Sequence, residues 1–154
     1  SPFEVMQADL RDKTLVHTTS AGTQGVAAAI GQADELLLGA LVNAGATARY
    51  LRAKNPAEVS LVAMGLAGVT PTTEDRLCAE YIRALLLGLP FSREGAVEQL
   101  RSTDGARFFR AESQDSAPEQ DFWLSVEFDR FDFALPVRRD ERGYIYTQPV
   151  HMPE

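Results

Sequence analysis

Three β-like apolar runs, 13–18 (KTLVHT), 35–40 (ELLLGA) and 58–64 (EVSLVAM), are each followed by a short loop and a segment with helical spacing. Strand and helix alternating in this way predict an α/β fold, in which helical crossovers join parallel strands. The loops are TTSAGT at 18–23, LVNAGAT at 41–47 and MGLAGVTPTTED at 64–75. In an open parallel sheet, loops leaving the carboxyl ends of the strands emerge on one edge, where ligands bind. That edge would carry hydroxyls at the first loop, an amide at the second and a carboxylate pair at the third. Hydroxyls and open backbone N–H groups suit an anion, and carboxylates suit a hard cation.

The helices have local signals of their own. In 23–33, Val26, Ala29, Ile30 and Ala33 share one face. In 43–54, Ala44, Thr47, Ala48 and Leu51 face inward, and Asn55-Pro56 ends the helix because a residue before proline is pushed out of the helical region. The longest pattern, 73–88, aligns Leu77, Tyr81 and Leu85 and stops at Gly88. Beyond Pro90 the spacing predicts helices at 93–102 and 104–112, a polar connector at 113–120, and strands at 132–138 and 143–148 in an aromatic-rich end.

A net charge of −7, with no Lys/Arg cluster interleaved with aromatics, argues against a nucleic-acid surface. No apolar stretch approaches the roughly 20 residues of a membrane span. A lone Cys78 excludes an intramolecular disulfide and fits a reducing compartment, so a cytoplasmic location is expected. The start, Ser1-Pro2-Phe3, reads as the interior of something longer.

Each candidate site residue has a plainer explanation beside it. Thr18, Thr19, Ser20, Gly22 and Thr23 occupy a strand-to-helix turn, where unpaired N–H groups and hydroxyls attract an oxyanion. Ordinary N-capping by Thr19 or Ser20 would use the same residues. Glu74 and Asp75 open the long helix, where the macrodipole favours acids without any metal. Their setting after a loop of two glycines and three threonines is that of a site. Adjacent helical residues point about 100° apart, so one of the two binds an ion while the other caps or acts through water. Cys78 reads as a small packed hydrophobe. There is no Walker loop, no Ser–His–Asp spacing and no pair of histidines at ligand spacing.

Together the loops resemble the 2-phosphosulfolactate phosphatase family. Thr18-Thr19-Ser20-Ala21-Gly22-Thr23 is similar to the family's Thr-Thr-Thr/Ser-Asn-Gly-Thr run, and Asn43-Ala44 to its small-residue helix start. Gly65 to Ala79, containing TEDRLCAEYI, is similar to its glycine loop followed by Glu-Asp, two residues and Cys-Ala. The resemblance implies a three-layer α/β/α sandwich around a mostly parallel or mixed sheet. It implies Mg²⁺-dependent hydrolysis of a small anionic phosphoester, 2-phosphosulfolactate in the family's own case, in coenzyme M biosynthesis. It places Thr18, Thr19, Ser20, Gly22, Thr23 and Asn43 at the phosphate, and Glu74 and Asp75 at the metal and the chemistry. It spans the later two thirds of the family's length. Residues 1–154 are therefore expected to be one α/β domain cut from a longer protein, its sheet completed by the last two strands, by a preceding segment or by another subunit of a homo-oligomer. Ala21 stands where the family carries Asn, and the alternative reading is a catalytically inactive anion-binding or assembly domain.

Overall fold

The computed structural model describes residues 1–153. Its sheet is built around a C-terminal strand, β2 (Phe133–Arg139). On one edge, β1 (Leu37–Leu38) runs antiparallel to β2, with Leu37 opposite Pro136 and Leu38 opposite Leu135. On the other edge lie β3 (Ile145–Thr147) and β4 (Val150–His151), both antiparallel to β2. Val137 faces Thr147 and Ala134 faces Val150, so β3 and β4 keep one register along that edge. They are interrupted at Gln148 and Pro149, where proline has no N–H to offer the ladder.

The core belongs mainly to the helices. α1 (Pro2–Gln7) and α2 (Gly22–Ala29) lie at the surface, with no buried residue. α3 (Ala44–Lys54) ends at Asn55, which takes the left-handed conformation at φ 49°, and α4 (Thr73–Leu87) ends at Gly88, at φ 66°. Both stops are where the sequence places them. α5 (Arg93–Ser102) follows, capped by the Ser92 hydroxyl on the Gly95 N–H. The next segment winds as 3-10 turns, Asp104–Phe109 and Ala111–Ser113, rather than as the expected α-helix over 104–112. α6 (Glu119–Ser125) forms where the sequence suggested a connector and an aromatic tail. Leu41, Ala44, Leu77, Tyr81, Ile82, Ala96, Leu100 and Phe122 form the buried cluster. Phe91 and Phe128 pack on Tyr81, while Phe108 and Phe109 pack on Phe122.

Gly105 shows how tightly that cluster closes. A Cβ there would lie 2.6 Å from a Phe122 ring carbon and 2.7 Å from the Leu100 carbonyl oxygen. Neither neighbour has room to retreat, so Gly105→Ala is expected to lower stability by about 1–3 kcal/mol. A fall in the urea midpoint at unchanged slope would register it.

The mixture of helix and sheet is as expected, but the sheet differs. Every pairing among these strands is antiparallel. Of the three runs expected to form parallel strands, 35–40 contributes only the two residues of β1, while 13–18 and 58–64 form no strand. The physical reason is that apolar, β-branched sequence favours an extended backbone but does not supply a neighbour. The ladder between strands needs hydrogen-bonding partners, and β1 finds its partner in a distant C-terminal segment. The last two expected strands do form, yet they complete β2 rather than the runs at 13–18 and 58–64.

Candidate functional site

The threonine turn is tied by its own hydroxyls. Thr19 Oγ1 accepts the Thr23 N–H at 3.1 Å, and Thr23 Oγ1 donates to the Thr19 carbonyl at 3.1 Å. Gly22 sits where a Cβ would be 3.2 Å from Thr19 Oγ1, so the turn closes tightly at that point. Ala21 is the N-cap of α2 and is buried, and no side chain caps the helix there. The hydroxyls of Thr18 and Ser20 have no protein partner among the described residues, and both residues are exposed.

α2 leads directly to the glycine loop. A Cβ on Gly25 would lie 2.5 Å from Met64 Sδ, so only glycine lets α2 rest on Met64. Gly65 follows at φ 65°, and a Cβ there would meet the Thr70 carbonyl oxygen at 2.2 Å. Ala67 and Gly68 both have positive φ, and the Val69 N–H donates to the Leu66 carbonyl, closing a tight turn. An alanine held in the left-handed region costs about 1 kcal/mol, and such strain clusters at functional loops.

The carboxylates at the start of α4 diverge as adjacent helical residues must. Asp75 Oδ2 accepts the Gly65 N–H at 2.6 Å and so fastens the glycine loop to the helix. Glu74 lies within hydrogen-bonding reach of a carboxylate that sequence reasoning missed, Asp104, which precedes the first 3-10 turn after α5. Partial desolvation, together with the hydrogen bond and charge of Asp104 and the charge of Asp75, pushes the Glu74 carboxyl above its ordinary range. Burial acts in the same direction on Asp104, but is outweighed by hydrogen bonds from the Thr73 N–H and the Glu74 side chain, which hold Asp104 low. Asp104 thus caps α4 from a distant segment. The N-cap itself, Thr72, makes no side-chain cap bond, and its hydroxyl oxygen is buried without a partner. The only local signal for Asp104 was an acid opening a helix-like segment, which does not reveal its contact with Glu74.

Asn43 is buried and serves the backbone. Its Oδ1 accepts the Ala40 N–H at 2.8 Å, and its Nδ2 donates to the Phe133 carbonyl at 3.3 Å. The start of α3 already holds an anion, because Asp129 Oδ1 accepts the Gly45 N–H at 2.6 Å. Asp129 Oδ2 also receives the Tyr81 hydroxyl and the Arg93 guanidinium. Cys78 is packed against the core, and burial, followed by the charge of Asp75, pushes its thiol up to about 12.

No group of three or more His, Cys, Asp or Glu side chains among the described residues is arranged to hold a metal ion. Two carboxylates of opposite titration tendency meet beside an unpartnered threonine oxygen, and this donor set fits Mg²⁺. That ion commonly uses one or two protein carboxylates and completes its shell with water and substrate phosphate. No helix among the described residues is long and apolar enough to cross a membrane.

No curated protein sequence and no solved structure matches the chain. The family model of 2-phosphosulpholactate phosphatase matches residues 1–132, through the threonine turn, the glycine loop and α4. A match over that much of the 154 residues, on the same loops described above, assigns the chain to the 2-phosphosulpholactate phosphatase family.

Proposed function

We propose that the chain hydrolyses a small anionic phosphate monoester, of the 2-phosphosulfolactate kind, with the help of Mg²⁺. The observation that carries this reading is the contact of Gly25 with Met64. It sets the threonine turn beside the glycine loop, whose far end leads into Glu74. The Thr18 and Ser20 hydroxyls and the start of α2 hold phosphoryl oxygens. Asp75 keeps the glycine loop in place through the Gly65 N–H. Glu74 and Asp104 hold the ion, which when bound polarises the phosphoryl group and orients a water. The three-layer sandwich and a cytoplasmic location belong to the same proposal. The half-buried free thiol of Cys78 supports the second of these.

Ala21 favours a second reading, a catalytically inactive anion-binding domain. A methyl group occupies the N-cap of α2, where a side-chain donor and acceptor would serve a phosphate. Phosphate release from a panel of phosphorylated hydroxy acids, with and without Mg²⁺, decides between them. Release that requires Mg²⁺ supports the phosphatase. Phosphate binding by calorimetry, with no turnover of any ester, supports the inactive domain.

A further inference from the structure

The run 58–64 is strand-like in everything except pairing. Val59 and Leu61, two residues apart, line a groove of about 540 Å³ together with Leu51 of α3 and Leu86 and Leu87 of α4. Val62, on the opposite phase, is 73% exposed. That is the alternation of a strand laid along two helices. Yet no backbone N–H or carbonyl of 58–64 is hydrogen-bonded among the described residues. None of the devices that protect an open edge is present from Val59 to Met64, which contain no proline, lysine or other charge.

A second run in the same chain has the same character. Residues 14–18 have no regular secondary structure and no backbone hydrogen bond, with Leu15 64% and Val16 96% exposed. The two runs do not pair with each other within the chain. Charge also matches between copies. The groove beside 58–64 carries Arg52 and Arg83 and no acidic residue, and 14–18 is closely preceded by Asp12, which makes no ion pair among the described residues.

We infer that 58–64 is a sheet edge for a second copy of this chain, whose run 14–18 adds to it as a strand. The contact is reciprocal, each copy giving one run and receiving the other, so the assembly closes as a two-fold dimer. Main-chain hydrogen bonds supply affinity, and the apolar groove supplies register.

Sedimentation velocity of the full chain from about 1 to about 100 µM tests this, with the variants Val62→Pro and Val16→Pro. Each proline removes one N–H from a run that makes no bond within its own chain, so the helical circular-dichroism signal should be unchanged. The wild-type chain is expected to be a dimer, and each variant to weaken association by about tenfold or more. An equimolar mixture of the two variants retains one intact contact, and should associate more tightly than either variant alone. A wild-type monomer throughout the range, or a dimer that both variants keep, would overturn the proposal. Loss with Val62→Pro alone would also overturn it, because the occupant would then not be 14–18.

Discussion

Glu74→Gln is expected to lower Mg²⁺-dependent phosphate release by about 10²–10³-fold, with the fold intact. The amide keeps the size of the carboxyl and removes its charge, so the cation loses its strongest attraction at the start of α4. A loss of several kcal/mol of charge stabilisation at the reacting phosphoryl group corresponds to that range of rates. Cys78→Ser is the matched control, one turn further along the same helix. Its thiol is held protonated up to about 12 and packs against the core, so its replacement should change turnover little. Equal losses in the two variants, with native circular dichroism in both, would remove Glu74 from the proposed site.

The second large effect concerns stability. Asp129→Ala is expected to cost about 3 kcal/mol, read as a lower urea midpoint, out of the 5–15 kcal/mol typical of a domain. Three donors converge on this carboxylate: the Gly45 N–H at the start of α3, the Tyr81 hydroxyl and Arg93. Arg93 is half exposed, and water replaces its partner cheaply. Tyr81 is only 3% exposed, so its hydroxyl is left without an acceptor in the core. Asp129 also has φ 58°, a conformation that Asp tolerates better than Ala. Asp129→Asn keeps the acceptor and that tolerance, and should recover part of the loss.

A tyrosine titration provides an independent readout of the same cluster. Burial, then the hydrogen bond and charge of Asp129, push Tyr81 up to about 12. The unfolded chain releases this proton near pH 10, so the folded state holds it more tightly. The stability this contributes is present below about pH 10 and is lost as the pH rises toward about 12. In Asp129→Ala the hydroxyl should titrate earlier, because two of the groups raising it are gone while burial remains.

What could be read in the sequence followed from how local each signal was. Helices α3, α4 and α5 and their stops rest on spacing within a few residues and on the backbone preferences of Asn55-Pro56 and Gly88. Those preferences act whatever the rest of the chain does. The threonine turn and the glycine loop were legible for the same reason. At 58–64 the sequence correctly marked a β-like run, and even its alternation survives in the groove. It said nothing of whether a neighbour would be there.

The sequence by itself determined the helical framework, the loops that carry the chemistry and membership of the 2-phosphosulpholactate phosphatase family. Only the tertiary structure decided which strands pair. β1 meets β2 from the far end of the chain, in antiparallel register, because hydrogen-bond ladders join segments whose separation leaves no trace in periodicity. The tertiary structure alone also set Asp104 against Glu74, and Asp129 under Gly45, Tyr81 and Arg93. An isolated aspartate looks the same in sequence whether it faces water or another carboxyl group. Its role is fixed by which distant groups the packed helices bring within 3 Å or so, where electrostatic energies become large.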